Sequence, residues 1–376
     1  MNFAKYITFA LLLFQLLVAN AQINVGDGAA RPAPVAAQTG MQAGKIYVDL
    51  KTIVKRRPNF NVDRIFKTCT GTFADCLALN FNNAPNRYGS AFNSGSFRVG
   101  CAFSHMAFDD PIFWPGQAGR THLHSFFGNT STSAASDMTN MANSGNSTCA
   151  GGTLNRTGYW IPTLIYHCPA GSTDGCTRSR DGEVFPPTTG NFYYKCAYAF
   201  PCDTGGNGGT PLRWWPVGFR MIGGNPNATT DQDGRVAWRC HDTAGNELYK
   251  GGHIPQDNEL RTGAIPAGGT YGPCVGVEIS ISFPICWDGV NIDSPTTHSS
   301  HIDTAATYLA NFYTGCQGNT AFPVLVPELG LNINAPANPA DVKYLRLSSD
   351  QPKSSGIPAG VTAHADWVNG DRKSVV

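Results

Sequence analysis

Alternation between apolar and polar positions runs through the second half of the chain. At 277–285, Val277, Ile279, Ile281, Phe283 and Ile285 fall on one face and Glu278, Ser280 and Ser282 on the other. At 191–200 (NFYYKCAYAF), Phe192, Tyr194, Cys196, Tyr198 and Phe200 share a face. Shorter apolar runs stand at 159–168, 217–222, 236–240, 322–326 and 342–347. Period-two alternation between clusters of Gly, Pro and Asn predicts antiparallel strands. Helical periodicity is scarce, and 303–313 (DTAATYLANFY), with Asp303 as N-cap, is the best helical candidate. The pattern predicts a mainly β protein: an antiparallel β-sandwich or jelly-roll-like domain with long loops and few helices.

Hydropathy divides the chain unevenly. Residues 1–21 read as a signal peptide: Lys5 gives a positive start, 7–18 (ITFALLLFQLLV) is apolar, and Ala19-Asn20-Ala21 has the spacing of a cleavage site. The apolar run is shorter than the roughly 20 residues a membrane span needs, and no later stretch reaches that length. No membrane span is therefore expected after cleavage. Residues 22–44 are rich in Ala, Gly and Pro and read as a flexible linker. An N-terminal extension follows at 45–96, and a single β-rich domain is expected over 97–372.

Composition strengthens the extracellular reading. All twelve cysteines lie beyond the signal peptide: Cys69, Cys76, Cys101, Cys149, Cys168, Cys176, Cys196, Cys202, Cys240, Cys274, Cys286 and Cys316. An even count without paired CxxC spacing predicts disulfides in an oxidising compartment, with connectivity open. Sequons at Asn129, Asn146, Asn155 and Asn227 are candidate glycosylation sites, given a host with that pathway. With 27 basic against 26 acidic residues the chain lacks the basic excess of a nucleic-acid binder, and no nucleic-acid partner is expected.

The candidate chemistry sits on histidine and carboxylate. His122 and His124 form HxH, His298 and His301 form HxxH, and His364 stands two residues before Asp366. HxH on a strand puts both imidazoles on one face, which suits a metal or a substrate. A divalent metal is the candidate cofactor, with ligands drawn from His122, His124, His301 and His364. Asp288, on the turn after Cys286-Trp287, is the acid/base candidate, joined by His124 and His301 as catalytic residues. His122, His298, His364, Asp366, Arg220 and Trp287 are candidate substrate contacts, Arg220 as neutraliser of a substrate carboxylate or phosphate. Asp109, Asp110, Glu278 and Asp293 complete the carboxylates near these motifs. No GxSxG, HExxH, P-loop or GxGxxG occurs.

Read in order, the motifs are Asp110-Pro-Ile, His122-x-His124, Tyr159-Trp160-x-Pro162, Pro216-x-Gly-Phe-Arg-Met-Ile-x-Gly, Phe283-Pro-x-Cys-Trp-Asp-Gly, Asp293-Ser-Pro, His298-x-x-His301 and His364-Ala-Asp-Trp. Over about residues 97–372 the chain resembles the domain of unknown function 1996 family of secreted fungal and bacterial proteins. The resemblance implies secretion and a role at cell walls or extracellular polysaccharide; it supplies no reaction. The expected function is a secreted, extracellular carbohydrate-active protein acting on cell-wall or matrix polysaccharide, a hydrolase or lyase. The alternative is a non-catalytic extracellular protein that binds polysaccharide or metal.

Overall fold

The computed structural model describes residues 96–370 apart from 151, 153–154, 196–212, 217, 233, 267, 296–297, 301, 303–315 and 317. The expected signal peptide, linker and nearly all of the extension lie outside the described residues. So do the helix at 303–313, His301, and Cys69, Cys76, Cys196 and Cys202.

The described chain is mainly β, as its alternation predicts. The strands are β1 (Ser96–Ala107), β2 (His124–Gly128), β3 (Gly158–Pro162), β4 (Leu164–Tyr166), β5 (Val184–Phe185), β6 (Thr189–Lys195), β7 (Arg220–Gly224) and β8 (Val236–His241). They continue as β9 (Glu247–Gly251), β10 (Gly276–Ser282), β11 (Cys286–Trp287), β12 (Val324–Leu325), β13 (Glu328–Pro336), β14 (Leu345–Leu347) and β15 (His364–Val368). Ten form one sheet in the order β7-β15-β3-β2-β1-β6-β13-β10-β8-β9. β14-β4-β5 and β11-β12 form small sheets beside it. The large sheet curls until β7 meets β10: a Cβ on Gly223 would stand 3.1 Å from the side chains of Ile281 and Phe283. That closure gives a β-sandwich.

The two halves of the sheet differ in burial. β10 and β13 alternate buried and half-buried positions, and Ile279 pairs with Ile333 and with Trp238 of β8. Apolar side chains on one face fill the main core, and the polar face stays wetter. By contrast β2, β3 and β15 are buried at every position. Their inner face carries Phe127, Tyr159 and Trp367 into the main core. Their outer face carries Phe126, Trp160 and Val368 into a second cluster with Ala107, Ile112 and Met141. The segment between β1 and β3 covers this outer face, so it is closed off from water.

Two sequence expectations shift in detail. The run at 159–168 breaks at Thr163 between β3 and β4, which belong to different sheets; Pro162 cannot donate to a ladder there. In 342–347 the first three residues end a 3-10 turn, Pro339–Tyr344, capped by Asn338 with Pro339 at its start, and only Leu345–Leu347 pair as a strand.

Four disulfides are present among the described residues: Cys101–Cys149, Cys168–Cys176, Cys240–Cys274 and Cys286–Cys316. No described cysteine is free. Four bridges fit an extracellular-type protein, and no described helix is long and apolar enough to cross a membrane.

Candidate functional site

The outer face of β2 and β15 explains why polar residues are buried there. Side chains two apart on a strand share a face, so His124 lies beside Phe126, and His364 and Asp366 beside Val368. Asp366, Trp160 and Phe126 form one cross-strand row. His124 pairs with Pro162 one row further on. β2 and β15 both flank β3, which puts them about 10 Å apart, and imidazoles from both sides reach across the gap. The ring centroids of His124 and His364 are 5.9 Å apart. His122 completes the group at 4.3 Å from His124 and 5.0 Å from His364. One ring nitrogen from each of the three lies within 4.8 Å of the others.

The backbone orients these rings. His124 donates its Nδ1–H to the Asp109 carbonyl at 2.9 Å, and His364 donates its Nδ1–H to the Thr362 carbonyl at 2.9 Å. Each bond fixes the tautomer whose Nε2 carries the lone pair. His124 Nε2 is buried and has no hydrogen-bond partner among the described residues. Burial, then the neighbouring His364, push the His124 pKa down to about 3 against the Asp109 hydrogen bond, so the ring is neutral at neutral pH.

Two carboxylates stand behind the imidazoles. Asp110, His124 and Asp366 each place one donor atom within 4.8 Å of the other two. Asp366 is fully buried, and neither of its oxygens has a hydrogen-bond partner among the described residues. His364 Nε2 is 4.0 Å from Asp366 Oδ2, beyond hydrogen-bond range. Burial, with the charge of Asp110, holds the Asp366 pKa well above the usual carboxylate range. Asp110 is also buried and accepts hydrogen bonds from the Ile112 and Phe113 amides through Oδ1. Burial outweighs those bonds and pushes its pKa up to about 6. A neutral His124 among three converging imidazoles, beside a buried Asp366 whose oxygens have no hydrogen-bond partner among the described residues, is a donor set that a cation satisfies.

The sequence motifs divide between two places. His122, His124, His364 and Asp366 come together. His298 does not join them: it bonds Asp293 at 3.1 Å, and Arg220 reaches the same carboxylate at 3.4 Å. Arg220 pairs with Val368, and Gly224 with His364, so Arg220 is four residues along β7 from the histidine, about 13 Å. Arg220 is thus offset along the strand from the histidine centre and engaged with Asp293. Trp287 packs on Phe219 in the main core at 5.2 Å and donates Nε1–H to the Asn291 carbonyl. It lies on the inner side of the sheet, opposite the histidines.

Asp288 is a turn residue. Its Oδ1 accepts the Val290 and Asn291 amides, and its Oδ2 accepts the Asn291 side chain at 2.6 Å. The acid/base candidate thus spends both oxygens on its own turn. Asp110 joins the centre although only its Asp109-Asp110-Pro motif, and no histidine spacing, marks it in the sequence. Among the sequons, Asn146 and Asn227 are exposed and Asn155 is half-buried. Asn129 is buried at 0% exposure and donates to the Met141 and Ser144 carbonyls; this packing leaves no room for a glycan.

Fold and site together define a disulfide-bonded β-sandwich protein with a buried His/Asp centre on the outer face of its sheet. The chain belongs to the family described as domain of unknown function (DUF1996), which it matches over residues 110–370, a span that includes all five residues of the centre. No curated protein and no solved structure matches the chain.

Proposed function

We propose that this is a secreted metal-binding protein that acts on extracellular polysaccharide. His122, His124 and His364 are the ligands, with Asp366 and Asp110 beside them. One observation carries the reading: three imidazoles converge on one point, next to a buried carboxylate that has no hydrogen-bond partner among the described residues. Three imidazoles favour zinc or copper over calcium or magnesium. The main-chain carbonyls of Asp109 and Thr362 hold the rings in the tautomer a metal needs. The signal-peptide pattern and the disulfides support secretion.

A metal held by these residues would supply Lewis acidity and an activated water, one chemistry by which a polysaccharide hydrolase or lyase can act. Loading the purified protein with zinc or with copper, removing excess, and measuring metal by mass spectrometry tests the proposal. About one equivalent is expected, and none in His124→Ala. A folded wild-type protein that retains neither metal overturns it. Reducing ends or unsaturated products from a polysaccharide panel, lost in the same variant, distinguish an enzyme from a binding protein.

A further inference from the structure

Arg120 lies two residues before the ligand His122, at the end of a loop that begins where β1 ends. The loop is closed at its base by the Thr121 amide, which donates to the Phe108 carbonyl. The two aspartates organise it: Asp109 accepts the Gly119 and Ala134 amides, and Asp110 accepts those of Ile112 and Phe113. The Asp109 carbonyl also holds His124. The loop and the centre are thus one built unit, and residues 113–120 form its half-exposed to exposed rim.

On that rim the Arg120 guanidinium carbon lies 4.8 Å over the Trp114 ring. The Trp114 amide is itself tied to the Asp110 carbonyl. Arg120 has no hydrogen bond and no ion pair among the described residues. Arg180, Arg220 and Arg239 each have a carboxylate partner. Its Nε is shut off from solvent and has no acceptor. The two terminal nitrogens are not shut off in this way and have no partner among the described residues, so they are the donors left for a ligand oxygen. A guanidinium stacked on an aromatic ring keeps its N–H groups in the plane of the fork, the geometry that takes a carboxylate with two parallel bonds.

Resting on the reading of the centre as a metal site in a polysaccharide-directed protein, we propose that Arg120, laid on Trp114, binds the carboxylate of a uronic-acid unit. The polymer handled here is therefore an acidic one. This moves to Arg120 the neutralising role that the sequence offered to Arg220.

The test is calorimetric titration with a galacturonate oligomer, its methyl ester, a sulfated oligosaccharide and a neutral oligosaccharide. The wild type is expected to bind the uronate oligomer at least tenfold more tightly than the ester or the neutral sugar. Arg120→Ala abolishes that preference and Arg120→Lys weakens it, while metal content stays at the wild-type level. Equal binding of acid and ester by the wild type overturns the proposal, and needs no variant to fold. Unchanged uronate binding by Arg120→Ala overturns it as well. Tighter binding of the sulfated sugar overturns the uronate assignment. Metal measured on the same samples separates the two readings: a metal-free protein that binds uronate through Arg120 sinks only the metal centre, and a metal-loaded protein indifferent to the carboxylate sinks only the role of Arg120.

Discussion

His124 and His364 belong to strands separated by β3, yet their rings stand 5.9 Å apart, each anchored by Nδ1 to a main-chain carbonyl. Two rings fixed in that way leave little freedom to lose when an ion binds. Replacing partners of ligand histidines in metal sites commonly costs 10–100-fold in affinity, and removing a ligand costs more. His124→Ala is expected to weaken metal binding by more than about a hundredfold. His298→Ala, which breaks only the exposed pair with Asp293, leaves it unchanged. Competition against a chelator of known affinity measures both. Equal loss in the two variants contradicts the assignment of ligands.

Asp366 makes a second case, because its effect reverses sign with the ion. A fully buried carboxylate without a hydrogen-bond partner among the described residues is costly to keep, and the neighbouring Asp110 adds to that cost. Asp366→Asn keeps the shape and cannot ionise. In chelator-treated protein it is expected to stabilise by about 1–3 kcal/mol, a few degrees in Tm. In the presence of metal the gain in Tm shrinks relative to wild type, because part of the attraction for the ion is gone. Calorimetry with and without chelator reads both. A chelated variant less stable than chelated wild type means that the carboxylate has a native partner.

In the wetter half of the sheet β6, β8 and β10 are legible because each shows one buried face, whereas β1, β9 and β13 fall outside the runs that the alternation marks. Val277, Ile279 and Ile281 write β10 into the sequence with period two. β15 and β2 were not legible as strands. Buried on both faces, they interleave His and Asp with Ala, Trp and Phe, and carry no simple alternation. The same cause made the site half-legible. HxH and HxD spacing marks residues that share a face, but only the strand order brings β2 and β15 together, and no local pattern contains it. Asp288 stays ambiguous in the sequence because an Asp before Gly reads equally as an acid and as a turn former. Arg120 is not legible as a binding residue because nothing in the sequence says that its guanidinium lies on Trp114 with no hydrogen bond among the described residues.

Curling of the sheet onto itself depends on Gly223. A Cβ there meets Ile281 Cγ2 and Phe283 Cγ at 3.1 Å, both well anchored in the main core. Gly223→Ala is expected to destabilise by about 1–3 kcal/mol through overpacking. Gly330 on β13 is the control, since its Cβ meets nothing nearer than the Ile281 carbonyl at 3.7 Å. Gly330→Ala should change stability by less than about 0.5 kcal/mol. Urea unfolding of the pair measures this, and equal effects show that the β7–β10 contact has slack.

His105 predicts how stability depends on pH. The ring is fully buried and stacks on Phe126 at 4.7 Å, nearly parallel. Nε2–H donates to the Thr132 carbonyl at 2.9 Å, and Nδ1 accepts the Ser104 hydroxyl at 2.9 Å. Burial, only partly offset by the Thr132 bond, lowers its pKa from 6.5 to about 4. The unfolded chain therefore takes up a proton as pH falls through about 6.5, and the folded chain only near 4. The contribution is complete above pH 6.5 and is lost progressively down to pH 4, in all about 3 kcal/mol by the span between the two values. His105→Gln can keep both hydrogen bonds and cannot titrate. It is expected to be less stable at pH 7, from lost stacking, but to lose less Tm between pH 7 and pH 4 than wild type does. Parallel Tm curves for the two proteins would mean that the ring takes its proton equally in both states and is not closed off from water.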